Sequence, residues 1–195
     1  MSVLEVTTRT PPRVALEDVW SNSLAREFFL RVWPMYVHDI SAFDSDFYRL
    51  DPSGRWLPDI GGDWVAATTS AQNIHEGRAR DASEQPFQRA HVITEDGRAV
   101  GFACIGLSPF RYMPADADIV LAELFLIHRG RGRGIATAAV RLLVARYPGR
   151  WSLSAIHDNV RAVQFWRATL PLLDLRELRE RVVERDFVWD FVVPT

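Results

Sequence analysis

Lysine is absent from this 195-residue sequence, and all 23 basic residues are arginine. A Schiff-base lysine and the lysine of a Walker phosphate loop are therefore excluded. Cysteine occurs once, at Cys104, which excludes an internal disulfide and a cysteine-based metal cluster; no metal is expected. No apolar run approaches the ~20 residues that span a bilayer, so no membrane association is expected. The formal net charge of −2 shows no excess of one sign and offers no support for nucleic-acid or membrane-surface binding. The opening "MSVLEVTTRTPPR" lacks the charged-then-apolar layout of a secretory leader, and a cytoplasmic location is the expectation. What is present is 48% hydrophobic and 25% charged residues. That composition suits one globular domain over 1–195 with a substantial core.

The pattern of elements is mixed. "SVLEVTT" predicts an opening strand. Val19, Trp20, Leu24, Phe28, Leu30 and Val32 recur at near-helical spacing and predict helix from Leu16 to about Ile40, bent or ended at Pro34. Two β-prone runs flank "EDGR", a hairpin signal at Asp96-Gly97. "IVLAELFLI" (119–127) is apolar on both faces and reads as a central strand, interrupted by one charge, Glu123. Ile135, Ala139, Leu142 and Leu143 mark a helix stopped by Pro148-Gly149. "RWSLSAI" is a further strand, and "DNVRAVQFWRATL" a helix with Asp158 or Asn159 as N-cap. "LRELRERVV" and "RDFVWDFVV" close the chain as two strands. The fold class is α/β with a mixed parallel and antiparallel sheet.

The stretch "HRGRGRGIAT" (128–137) sits between the central strand and a helix. Neither the dinucleotide fingerprint nor the Walker loop fits it, because the third fingerprint glycine and the lysine are missing. The context still suits an anion. Free N–H groups at the first helical turn, with the helix dipole, attract phosphate. Gly132 and Gly134 allow close backbone approach, and Arg129, Arg131 and Arg133 would supply charge. The alternatives are a flexible connector with solvated arginines, or an Arg-Gly nucleic-acid box, which flanking ordered elements disfavour.

"AELFLIHRGRGRGIATAAVRLLVARYPGRW" resembles the acetyl-CoA motif of the GNAT superfamily of N-acetyltransferases: a strand, then Arg/Gln-x-x-Gly-x-Gly/Ala, then a helix. Of two registers, "RGRGIA" from Arg131 is the one chosen, which leaves Arg129 and Gly130 as connector. "DNVRAVQFWR" is similar to the downstream Asn-x-x-Ala-x-x-Phe/Leu-Tyr segment, at Asn159, Ala162, Phe165 and Trp166. "F-P-G-x-W"-like and "F-W-R" features, with "MYVHDISAF" and "VGFA", resemble a bacterial subgroup of predicted acetyltransferases. The resemblance is strong over about 88–170 and weaker over 20–87.

The resemblance implies a single-domain GNAT-like fold around a splayed sheet, with acetyl-CoA as co-substrate. Backbone amides of Arg131, Gly132, Arg133, Gly134, Ile135, Ala136 and Thr137 would hold the pyrophosphate. The strand end at Phe125, Leu126 and Ile127 would pair with the pantetheine arm and polarise the thioester. Asn159 would hydrogen-bond that arm, with Ala162 and Phe165 packed near it; a plain N-cap is the alternative for Asn159. A homodimer is a further implication.

Transfer to an amine needs a base, oxyanion donors and a leaving thiolate. Glu123 is the candidate base, since burial in an apolar strand raises a carboxyl pKa. An edge or Arg-paired Glu is the alternative. Family members usually supply an acid from a Tyr at the position of Trp166, whose indole cannot protonate a thiolate. No acid is therefore assigned, although Tyr36 and Tyr112 are candidates from the acceptor side. His128 reads as a cap or surface residue. Residues 36–63 hold six aspartates, Asp39 among them, against Arg49 and Arg55. Such a surface would draw a cationic amine, unless the aspartates only cap turns. Tyr36 and Asp39 are the acceptor-side candidates; Trp33, Trp56 and Trp64 could line a pocket or belong to the core. A small-molecule amine is the expected partner, and a coenzyme-A-binding protein without catalysis is the alternative.

Overall fold

The computed structural model describes residues 13–43, 49–54, 56–57, 88–110 and 113–195. The expected opening strand, Tyr112, Trp64, Arg55 and the aspartates Asp44, Asp46, Asp59 and Asp63 lie outside the described residues. For Trp56 the description reaches the backbone alone.

Asn22 decides where the first helix begins. Its side-chain oxygen accepts the N–H groups of Leu24 and Ala25 at 3.0 and 3.1 Å, the usual satisfaction of a helix start. Helix α1 therefore runs Ser23–Ile40, while the residues before it form strand β1, Val14–Asp18. The helical reading back to Leu16 is corrected. Leu16 faces Ile93 across an antiparallel ladder, and pairing with that neighbour overrides local periodicity. Pro34 neither ends the helix nor separates it from its last turn. Ala25, Phe29, Trp33, Tyr36 and Val37 form a buried stripe on both sides of it, and that packing outweighs one missing backbone bond.

The remaining elements follow in order. A small ribbon pairs β2 (Arg49–Leu50) with β3 (Trp56–Leu57). The main sheet adds β4 (Gln88–Glu95), β5 (Arg98–Leu107), β6 (Ile119–Leu126), β7 (Gly149–Ile156), β8 (Arg176–Val183) and β9 (Asp186–Val193). Helix α2 (Ile135–Arg146) links β6 to β7, and α3 (Val160–Thr169) follows β7. The seven main strands lie in the order β1-β4-β5-β6-β7-β9-β8. All neighbours are antiparallel except β6 and β7. The hairpin turns at Asp96-Gly97, as the sequence signalled.

The two sheet faces bury different helices. Alternation sends Phe102 and Cys104 of β5 and Phe125 of β6 towards α1. Ala103, Ile105 and Leu121 face the other way, into a core shared with Val140 and Leu143 of α2 and Val163 and Trp166 of α3. Glu123 lies two residues from Phe125 and thus on the α1 face.

Strand β5 approaches β6 closely because Gly101 has no side chain. A Cβ there would lie 2.0 Å from the Phe125 carbonyl oxygen and 2.6 Å from a Leu126 methyl. Backbone cannot yield as a side-chain tip can. Gly101→Ala is expected to cost about 1–3 kcal/mol of stability, read as a lower denaturation midpoint. An unchanged midpoint would show that the two strands part freely.

Candidate active site

The cleft begins where β6 and β7 stop pairing. Their parallel ladder covers three positions, from Ile119↔Trp151 to Leu121↔Leu153. Immediately beyond, Ala122 is an extra residue in β6: Ile105 faces Leu121, but Cys104 faces Glu123. Such a bulge bends and twists its strand, and the β6–β7 ladder goes no further. A cleft of about 760 Å³ opens between them, with residues 122–126 on one wall and 154–156 on the other.

The direction of each amide follows from one bond. Ile127 N–H donates to the Val100 carbonyl at 2.9 Å. In an antiparallel ladder the next bonded residue is two positions away, so Phe125 also faces β5. The backbone groups of Leu124 and Leu126 point into the cleft. Of the expected strand-end residues, Phe125 and Leu126 line the cleft, and Ile127 is not among its lining residues. Leu124, which the sequence reading did not single out, supplies a free edge.

The Arg-Gly loop closes one end. A short 3-10 turn at His128–Gly130 leads to Arg131, and Gly132 and Gly134 take φ of +70° and +76°. Left-handed backbone at both positions suits glycine. Gly134 is the N-cap of α2 and offers no side chain to the first turn. The N–H groups of Ile135, Ala136 and Thr137 are therefore left for an outside acceptor. These residues line the cleft together with Arg131, Gly132 and Gly134.

The arginine side chains do something other than the sequence suggested. The Arg131 Nε donates to the Leu126 carbonyl at 2.7 Å, and its terminal nitrogen pairs with the Asp39 carboxylate. Arg133 turns away and holds Glu95, buried at the end of β4, at 2.5 and 2.8 Å. Both guanidinium groups are thus tied to carboxylates of the protein and brace the loop. Burial alone would raise the Asp39 carboxyl, but the hydrogen bond and charge of Arg131 hold it below its ordinary value. Gly130 is buried against Val100 and Leu126, a packed residue more than a loose connector. Arg129 is exposed.

Helix α3 brings the second motif to the opposite wall. The Asn159 Oδ1 accepts the Ala162 N–H at 3.2 Å, so Asn159 is the N-cap. It also lines the cleft with Ala162 and Phe165, so capping and cleft contact are compatible. Arg161 lines the same wall, exposed and without an ion pair among the described residues. Trp166 reaches the cleft but is buried in the core below it. The Thr137 and Thr169 hydroxyls, 3.3 Å apart, tie α2 to α3.

Glu123 meets Tyr36 across the cleft floor. The Tyr36 hydroxyl donates to the Glu123 Oε2. Burial pushes the Glu123 carboxyl up to about 7, and the tyrosine bond partly opposes that rise. Asp39, one helical turn further along α1, His128 and Phe43 complete the rim. Asp51 of the acidic segment caps its own turn, accepting Ser53 N–H and Oγ at 2.8 and 2.7 Å. Among the described residues no group of three His, Cys, Asp or Glu could hold a metal ion. No helix there is long and apolar enough to cross a membrane.

The sequence profile of the acetyltransferase (GNAT) family matches residues 55–170. The chain belongs to this family. A curated relative, mycothiol acetyltransferase of Mycobacterium marinum, is 34% identical over 120 residues, which cover 60% of this chain. The match spans 36% of that protein's length. The crystal structure of an acetyltransferase from Thermus thermophilus is similar at a TM-score of 0.54 with 18% identity, covering 93% of this chain and 97% of that one. The likeness supports the same fold. The structure of Campylobacter jejuni N-acetyltransferase PseH in complex with acetyl coenzyme A is similar over 94% of this chain and all of that one, with 9% identity and a TM-score of 0.49.

Proposed function

We propose that the protein is an acetyl-CoA-dependent N-acetyltransferase that acts on the amine of a small molecule by direct attack. One observation carries the reading: a single cleft joins uncapped helix N–H groups, a free strand edge and a carboxylate with a pKa near 7. The amides of residues 131–137 suit a pyrophosphate. The Leu124 backbone and the Leu126 N–H offer the pantetheine amides a strand-like partner; the Leu126 carbonyl is taken by Arg131. The Leu124 and Leu126 N–H groups would stabilise a developing oxyanion.

Glu123 takes the proton from the attacking amine. The nitrogen–carbon bond forms, the carbon–sulfur bond breaks, and coenzyme A leaves as a thiolate that takes its proton from water. A thiol with pKa of about 8.5 is a fair leaving group, so the absence of a tyrosine at Trp166 is tolerable. The Tyr36 hydroxyl is committed to Glu123 and does not serve as that acid. Because the carboxylate must be ionised to accept a proton, kcat/KM is expected to rise with pH through about 7.

Trp166 also favours a second reading, a coenzyme-A-binding protein without turnover. Two measurements separate them. Stabilisation against heat by acetyl-CoA, together with thiol release on at least one member of an amine panel, supports the enzyme. Stabilisation with no release on any amine supports the second reading.

A further inference from the structure

We propose that Tyr36 is a positioning residue for Glu123: it holds one carboxylate oxygen against α1 and leaves the other as the oxygen presented to the acceptor. The importance of that role rests on Glu123 being the base, whereas the contact itself does not.

Packing fixes the tyrosine ring. Tyr36 lies 5.2 Å from the Trp33 ring centroid, and its ring meets Phe102 and Phe125 edge-on at 5.7 and 5.9 Å. Trp33 and Phe102 are themselves stacked at 5.5 Å. A ring held on three sides has one direction for its hydroxyl, and that direction meets Oε2 of Glu123. The other oxygen, Oε1, makes no hydrogen bond among the described residues and is not a buried orphan. It therefore opens to the cleft that Glu123 lines.

The surroundings leave Tyr36 as the principal control on this carboxylate. Cys104 faces it from β5, but burial, with the charge of Glu123 adding to it, pushes the thiol far up and keeps it neutral. From α1 and the loop, Asp39 and Arg131 neutralise each other. His128 and Arg161 stand in the lining of the same cleft. Ser154 and Asn159 bring no charge from the β7 and α3 side. A hydrogen bond to the ionised form favours ionisation, so Tyr36 counteracts the desolvation that would otherwise leave Glu123 protonated at neutral pH.

The test is carbon-13 NMR titration of the full chain, with labelled glutamate carboxyls and tyrosine Cζ. Glu123 is assigned by its loss in Glu123→Gln. In the wild-type protein the Tyr36 Cζ shift is expected to move with the same midpoint as Glu123. In Tyr36→Phe the Glu123 midpoint is expected to rise by about one pH unit. A Tyr36 signal, assigned by its loss in Tyr36→Phe, that stays flat through the Glu123 titration of the wild-type protein overturns the proposal. An unchanged Glu123 midpoint in a folded Tyr36→Phe protein overturns it too. If the NMR midpoint rises but the acid limb of the rate–pH profile stays in place, the tyrosine contact stands and Glu123 as the base is overturned.

Discussion

Gly134→Asp is expected to abolish coenzyme A binding while leaving the fold in place. A Cβ at Gly134 meets no protein atom within 4 Å, so the new carboxylate enters the cleft. It would occupy the space before the first turn of α2, where the free N–H groups await an anion. Two like charges about 4 Å apart repel by about 4 kcal/mol at an effective dielectric of about 20, close to three orders of magnitude in affinity. The backbone strain is modest, because φ of +76° is among the left-handed conformations that Asp tolerates better than most side chains. Calorimetric titration with coenzyme A reads the binding, and thermal unfolding reads the fold. Arg129→Ala, at an exposed position outside the chosen register, is the control and should change binding little. Equal losses in both variants would place the anion elsewhere on the loop.

Glu123→Gln should divide activity from stability. A general base contributes about 10²–10⁴ in rate, so on the proposed role the loss of Glu123 is expected to fall on kcat with acetyl-CoA affinity nearly unchanged. Activity that survives in full would assign the proton to water or to another group. The stability effect has the opposite sign. With a folded pKa near 7 and an ordinary value of 4.5, the folded protein binds more protons between those values than the unfolded chain. Stability therefore falls as pH rises through that window. Glutamine carries no such burden. The variant is expected to be more stable than wild type at about pH 8, by an amount on the order of 3 kcal/mol, and to differ little below the ordinary value of 4.5. Denaturant midpoints measured on either side of that window decide this; an equal difference at both would mean that Glu123 carries no desolvation cost.

Many parts of the candidate site were legible because their signals are local. A lone carboxylate in "IVLAELFLI" stands out in the sequence itself, as does a pair of glycines at the start of an apolar helix. Asn159 before "VRAVQFWR" marks a helix start. The hairpin at Asp96-Gly97 follows from turn chemistry. Leu16 and Pro34 show the limit. Leu16 belongs to a strand because Ile93, far along the chain, pairs with it. Pro34 stays within α1 because the stripe around it packs on Phe102 and Phe125.

The sequence by itself determined most elements, the family motif and the residue types at the site: a glycine-rich turn before a helix, a lone acid in an apolar strand, and a tryptophan in the helix of the second motif. Each rests on neighbours within a few residues. Tertiary structure alone decided how those parts act. The splay comes from the Ala122 bulge and the short β6–β7 ladder, set by three strands together. Arg131 braces the loop because Asp39 comes from 92 residues away, and Arg133 does so through Glu95, 38 residues away. Glu123 has Tyr36 as its partner across 87 residues. A charged side chain can be named from composition, but its partner and its pKa depend on what folding carries to its side.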